Sequence, residues 1–211
     1  METSLEKRLF FKVLLTERKA EVARIRSLKQ RIEGLNQQKS ISSVPKLITR
    51  NKKEIKRTQK RVKEIEKMIR EEIAKENSLK REIDRIKTVP GIGDITAWMI
   101  AAKTQGFTRL LDPRKLACFA GVVPFEQQSG SSLKTKPRVS KMADRALKTV
   151  LQMAAMRAVR LNNELQEYYH RKVEEGKNKM SVLNAVRNKL IHIAMALIKN
   201  KTYYKNPLVL S

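Results

Sequence analysis

Acidic residues, aromatics, cysteine and histidine are all scarce in this chain, and each shortage removes a class of function. Only 21 Asp and Glu oppose 47 Lys and Arg, leaving a formal net charge of +26 and a pI near 10.4. An excess of that size points to a polyanionic partner. Aromatic residues make up 5% of the sequence, too few for extensive base stacking, so contact with nucleic acid is expected mainly through phosphates. The single cysteine, Cys118, excludes an intramolecular disulfide and fits a reducing, cytoplasmic location. Its neighbours Ala117 and Phe119 are apolar, as around a small core residue rather than a nucleophile. Two histidines, with no Cys or His cluster, give no sign of zinc, and no metal site is expected in this chain. There is no run of about 18 apolar residues, so nothing is expected to span a bilayer. The N-terminus lacks the apolar core of a secretory signal.

What remains is a helical chain of two characters. Hydrophobic residues make up 41% of it but concentrate after Lys87. The periodicity predicts an all-α protein: basic coiled-coil helices over 1–87, then a compact helical domain over 88–211. Residues 4–38 are helix-forming almost throughout, with Ile25, Leu28, Ile32 and Leu35 on one face. Pro45 is expected to close this segment and to disfavour helix at Val44. From Lys46 to Lys87 a 3-4 seam runs through Ile55, Val62, Ile65, Ile69, Leu79, Ile83 and Ile86, interrupted by Thr58, Glu72 and Glu76. Such a narrow stripe suits a coiled-coil partner. That partner is either the first helix folded back or a second copy of the chain. The flanking Lys52, Lys53, Lys56, Arg57, Lys60, Arg61 and Lys63 form either a solvated face or a nucleic-acid contact.

At Thr88 the pattern changes. Gly91 and Gly93 permit a tight turn and close backbone approach, and Asp94 can cap a helix carrying Ile95, Trp98, Met99 and Ala102. The run Pro90-Gly91-Ile92-Gly93 with Ala97 resembles the helix-hairpin-helix element of DNA-binding proteins. That resemblance makes Gly91 and Gly93 candidate phosphate contacts through backbone N–H groups. A short helix within 107–120 is predicted to start at Asp112-Pro113 and to bury Leu116, Ala117 and Ala120.

Gly121 to Arg138 has no helical period and is dense in Gly, Pro and Ser, a composition typical of a functional or disordered stretch. Ser129, Ser131 and Ser132 are followed by Lys134, Lys136, Arg138, Lys141 and Arg145. A hydroxyl among cations is what chemistry on a phosphodiester requires, since the cations hold the phosphate and offset developing charge. A basic loop that only touches a nucleic-acid backbone has the same composition. Three helices follow. The first, from Ser140, carries Met142, Leu147, Val150, Leu151, Ala154, Ala158 and Leu161. The second spans 164–175 and ends at Gly176. The third, 180–200, carries Val182, Leu183, Val186, Leu190, Ile193, Ala194 and Leu197.

Four stretches together resemble one family: Val89-Pro-Gly-Ile-Gly, Ala120-Gly-Val-Val-Pro with Gln128-Ser-Gly, Val139-Ser-Lys-Met-Ala-Asp-Arg-Ala-Leu-Lys, and Val186-Arg-Asn-Lys-Leu-Ile-His-Ile-Ala-Met-Ala-Leu. In this order and spacing they look like the C-terminal domain of the bridge-RNA-guided insertion-sequence transposases (the IS-one-ten family, or Piv/MooV-type recombinases), over roughly residues 85–205. The resemblance implies a serine nucleophile in the Ser-Gly step, Ser129 here, with Ser131 and Ser132 as neighbouring rivals. It implies DNA, a guide RNA and a homo-oligomer as partners, and no membrane. It also implies magnesium, held by four acidic residues of a RuvC-like domain that would precede Leu5. Nothing in this sequence supplies that domain, so the chain alone is expected to be inactive if complete. Met142-Ala143 further departs from the family where a Gly commonly follows the Ser-Lys step.

Two other functions compete. A coiled-coil nucleic-acid-binding protein without chemistry would share the charge and the seam. A tyrosine recombinase would use Tyr168, Tyr169, Tyr203 or Tyr204, but His170 and Arg171 lie beside Tyr169 on one helix and do not by spacing form the required constellation.

Overall fold

The computed structural model describes residues 4–38, 40–123, 128–129, 133–134 and 143–206. The chain is all-α: among the described residues are helices α1 (Ser4–Asn36), α2 (Val44–Ala74), α3 (Asn77–Lys87), α4 (Asp94–Lys103), α5 (Pro113–Phe119), α6 (Arg145–Ala158), α7 (Glu164–Glu174) and α8 (Lys179–Asn200). Among the described residues, the only extended pairing is a two-residue antiparallel ladder, β1 (Gln128–Ser129) with β2 (Leu133–Lys134). The helices divide into two units, Met1–Asn77 and Ser78–Ser211. The division falls between α2 and α3, so α3, the last stretch of the heptad seam, belongs to the second unit.

The first unit answers the question the seam left open, because α1 folds back on α2 within one chain. Its ion pairs show that the helices run antiparallel. Arg18 meets Glu66 at 2.8 Å, Glu21 meets Arg61 at 3.1 Å, and Arg24 meets Glu54 at 2.9 Å, so numbers rise on α1 as they fall on α2. The seam is buried unevenly: Ile69 is 0% exposed, while Ile55, Val62 and Ile65 are half-buried. Phe11, Leu14 and Leu15 on α1 and Ile73 on α2 are also buried.

The stretch 46–87 forms two helices, and the path breaks at Lys75-Glu76, where the seam positions Glu72 and Glu76 offer no apolar side chain to bury. One local expectation is corrected. Pro45 begins a helix instead of closing one. Val44 is the first residue of α2 and is buried, and Pro45 occupies the first turn, where its missing N–H costs no intrahelical bond.

In the second unit α4, α6 and α8 carry most of the core. Helix α4 is apolar nearly all round, and Thr96, Ala97, Trp98, Ile100, Ala101 and Ala102 are buried. Of the residues this helix was expected to carry, Trp98 and Ala102 are buried, while Ile95 and Met99 are half-buried. Helix α5 begins as its sequence implies: Asp112 Oδ1 accepts from the Arg114 and Lys115 N–H groups, and Leu116, Ala117 and Ala120 are fully buried. Cys118 beside them is only half-buried. Helix α6 turns Leu147, Leu151, Ala154, Ala155 and Ala158 inward, while Leu161, expected inside, lies past its end and is exposed. Helix α8 buries Val182, Leu183, Val186, Leu190, Ala194 and Leu197, while Ile193 is half-buried. Among the described residues no helix is long and apolar enough to cross a membrane.

Candidate functional site

The segment carrying the serines is anchored at both ends by the second unit. At its entry, Val122 is buried, its N–H donates to the Ala117 carbonyl at 3.1 Å, and its carbonyl accepts from Asn184 Nδ2 of α8 at 2.8 Å. At its exit, the Asp144 N–H donates to the Phe119 carbonyl at 2.8 Å. Residues 119 and 144 are thereby hydrogen-bonded neighbours, and everything between 123 and 143 leaves and returns at one place on α5 and α8.

Asp144 makes the exit more than a backbone contact. Its Oδ1 caps α6 by accepting from the Leu147 N–H at 2.8 Å, and its Oδ2 pairs with Lys103 Nζ at 2.6 Å. Burial pushes its carboxyl upward in pKa, but the Lys103 bond and charge and the Leu147 N–H together outweigh burial and hold it below the ordinary value.

Within the segment, the described ladder pairs Ser129 with Leu133 and Gln128 with Lys134. Ser129 and Lys134 therefore sit in adjacent pairs of one antiparallel ribbon, whose strands are joined by Gly130, Ser131 and Ser132. The candidate residues Lys136, Arg138 and Lys141, like Ser131 and Ser132, lie outside the described residues. Arg145 is the first residue of α6, exposed, with its carbonyl accepting from Thr149 Oγ1 at 2.8 Å.

The two glycines of the Thr88–Asp94 turn have different environments. Gly91 has φ +89°, and a Cβ there would overlap the Ala154 carbonyl oxygen and approach Ala158 Cβ and N to 2.9 Å. The turn is pressed onto the small-residue face of α6, and only glycine fits. Gly93 is exposed, its backbone is extended (φ −98°, ψ −177°), and a Cβ there would meet nothing within 4 Å. It is the N-cap of α4 and makes no side-chain cap bond. Asp94 in the first turn pairs with Lys87 at 2.6 Å, and Arg157 and Arg160 line the same groove of about 850 Å³. The site thus offers a helix N-terminus beside three cations and one carboxylate, which suits a phosphate better than a neutral ligand.

The four tyrosines make contacts of other kinds among the described residues. The Tyr204 hydroxyl faces Glu164 Oε1 at 3.3 Å, and burial together with that carboxylate pushes its pKa up to about 12. Tyr168 lies under the Lys189 ammonium, and Tyr169 makes an edge contact with His170. Among the described residues, no three His, Cys, Asp or Glu side chains gather where a metal could be held.

Sequence reading missed Lys103, Asp144 and Asn184. Asp144 had a visible signal, an acid directly before an apolar-periodic run. Asn184 showed only as a polar interruption of an apolar helix, and Lys103 had no local signal.

Residues 83–170 match the family described as Transposase IS116/IS110/IS902. The chain is 26% identical over 123 residues to the pilin gene-inverting protein of Moraxella bovis, covering 57% of this chain and 38% of that protein. It is 23% identical over 121 residues to the insertion element IS110 uncharacterized 43.6 kDa protein of Streptomyces coelicolor, covering 57% and 30%. It is 27% identical over 116 residues to the pilin gene-inverting protein of Moraxella lacunata, covering 54% and 36%. The chain thus spans about a third of the length of these relatives, 30–38%. The match to the family described as Transposase IS116/IS110/IS902 thus takes in the glycine turn, the anchored serine segment and α6.

Proposed function

We propose that this chain acts in DNA transposition or recombination, with Ser129 attacking a DNA phosphodiester. The observation that carries the reading is the coincidence of the family match with the segment anchored at Val122 and Asp144. In the step, the Ser129 Oγ–P bond forms as the P–O bond to one deoxyribose breaks. Overall, one proton passes from the serine to the departing sugar oxygen, and the DNA end stays covalently held for transfer. Lys134, Lys136, Arg138, Lys141 and Arg145 hold the phosphate and stabilise its transition-state charge. Gly91 and Gly93 place the α4 N-terminus against a second, non-reacting phosphate.

A guide RNA, an oligomer of chains and a cytoplasmic location belong to the same proposal. Magnesium does too, as a group held by other residues of the assembly, and no step here runs through it. The α1–α2 pairing uses the apolar seam internally, so an oligomer built on the first unit uses its outer face, where Val13 and Met68 are 54% and 45% exposed.

Covalent trapping tests the reading. The chain is incubated with DNA bearing the ends of its mobile element, magnesium and guide RNA, with and without the N-terminal region of a longer relative in trans. A denaturing gel should show a protein–DNA adduct that Ser129→Ala abolishes and that Ser131→Ala and Ser132→Ala retain. Retention of the adduct by Ser129→Ala would reject the assignment. If binding persists but no variant, wild type included, forms an adduct, a binding role without chemistry is favoured.

A further inference from the structure

One buried arginine of the second unit has no counter-ion among the described residues. Arg187 of α8 is 8% exposed, and its Nε is shut off from solvent without a hydrogen-bond partner. No carboxylate among the described residues pairs with it, and burial alone draws its pKa below the usual value. A guanidinium stays protonated under these conditions, and leaving it buried and unpaired is costly. Arg18, Arg24 and Arg61, all more exposed, each meet a glutamate.

Its position gives the missing anion an identity. Asn184, one turn earlier on α8, holds the Val122 carbonyl, so this side of the helix meets the base of the serine segment. Asn188, four residues after Asn184 on the same side, has a buried Oδ1 that also lacks a partner. A planar five-donor fork beside the entry of a segment read as carrying phosphodiester chemistry matches a phosphate group.

We propose that Arg187 binds a backbone phosphate of the DNA held by this domain, beside the Ser129 segment. The inference rests on the DNA reading above and adds a residue beyond the 83–170 match. On this account a buried guanidinium with no carboxylate partner among the described residues is a binding site prepared for an anion.

The experiment has an arm that does not depend on the chemistry. Thermal unfolding is followed in inorganic phosphate and in chloride of matched ionic strength. Phosphate at ten times its dissociation constant should raise Tm by about 3–6 °C in wild type. The control Lys199→Met, an exposed charge on the same helix, should keep that increment; Arg187→Met should lose it, and Arg187→Lys should keep only part. Should Arg187→Met fail to fold, the wild-type Arg187 Nε–H resonance decides, because it must move with phosphate and with short duplex DNA. A resonance or Tm increment indifferent to phosphate overturns the proposal, and a response to inorganic phosphate but not to DNA overturns its DNA part. In the trapping assay Arg187→Met should lower the adduct about 100-fold or more while salt-sensitive binding persists. If Ser129→Ala abolishes the adduct and Arg187→Met leaves it at wild-type level, Arg187 is a packing residue and the function stands. If no protein forms an adduct yet the Arg187-dependent responses to phosphate and DNA persist, the phosphate site stands and the serine chemistry fails.

Discussion

The two units bury apolar surface by opposite means. In the first, two helices of more than thirty residues meet along a narrow seam. Three cross-helix ion pairs, at 2.8, 3.1 and 2.9 Å, flank that seam, each with at least one partly exposed partner. In the second, short helices bury broad faces, and a glycine turn sits directly on alanines of α6. The lesson concerns where precision is needed. A stripe tolerates half-buried positions such as Ile55 and Ile65, whereas backbone against backbone tolerates no added atom. The unit built with the tighter tolerance is also the one that anchors both ends of the serine segment.

This comparison can be broken most forcefully at Ile69, the fully buried seam residue. Ile69→Asp removes its apolar burial and buries a charge, costing about 4 kcal/mol or more. Hydrogen-exchange protection across α1 and α2 should collapse. If it survives, the seam does not hold the first unit together.

The second unit is probed by the two glycines of one turn. Gly91→Ala forces a left-handed backbone onto alanine and drives a methyl into Ala154 and Ala158, costing about 2–4 kcal/mol together. Gly93→Ala meets open space at a cap position and should cost only about 0.5 kcal/mol. Denaturant unfolding of the two variants compares them directly, and equal costs would refute the close packing of the turn on α6.

Smaller effects come from two titrations. The Asp144 carboxyl is held below its ordinary value of 3.8, so its contribution is present above that pH and is lost as pH falls through the depressed value. Asp144→Asn should lower stability by about 1 kcal/mol near neutrality, with the gap to wild type closing in strong acid. A gap that is constant with pH would show that Lys103 does not hold the carboxylate. Tyr204 has the opposite sign. Its folded pKa is raised to about 12, so its contribution is full below the ordinary value of 10 and is lost as pH rises towards 12. An ultraviolet titration should show one tyrosine ionising near 12, absent in Tyr204→Phe and shifted down in Glu164→Gln.

Much of this was legible in the residues, and the failures have physical causes. Asp112-Pro113 and Gly176 announce helix ends by local chemistry, and the structure uses each that way. Pro45 misled because a proline forbids helix interiors but suits a first turn, and sequence order alone does not say which applies. The seam read as continuous through 46–87 because heptad spacing survives a break that falls on its polar positions. The glycine turn stood out, but its pressure on Ala154 and Ala158 is a contact across more than sixty residues and leaves no local trace. Lys103 with Asp144, and Asn184 with Val122, are of the same long-range kind. The choice of Ser129 over Ser131 and Ser132 came from the family resemblance, and the ladder adds only its backbone register with Leu133.

The central claim is chemical, and peptide mass spectrometry of a trapped adduct tests it most directly. Trypsin and nuclease digestion should leave a nucleotide on the peptide from Leu116 to Lys134, the one that contains all three serines. Fragmentation should place the phosphodiester on Ser129. A nucleotide carried by Ser131, Ser132 or any tyrosine peptide would contradict the account.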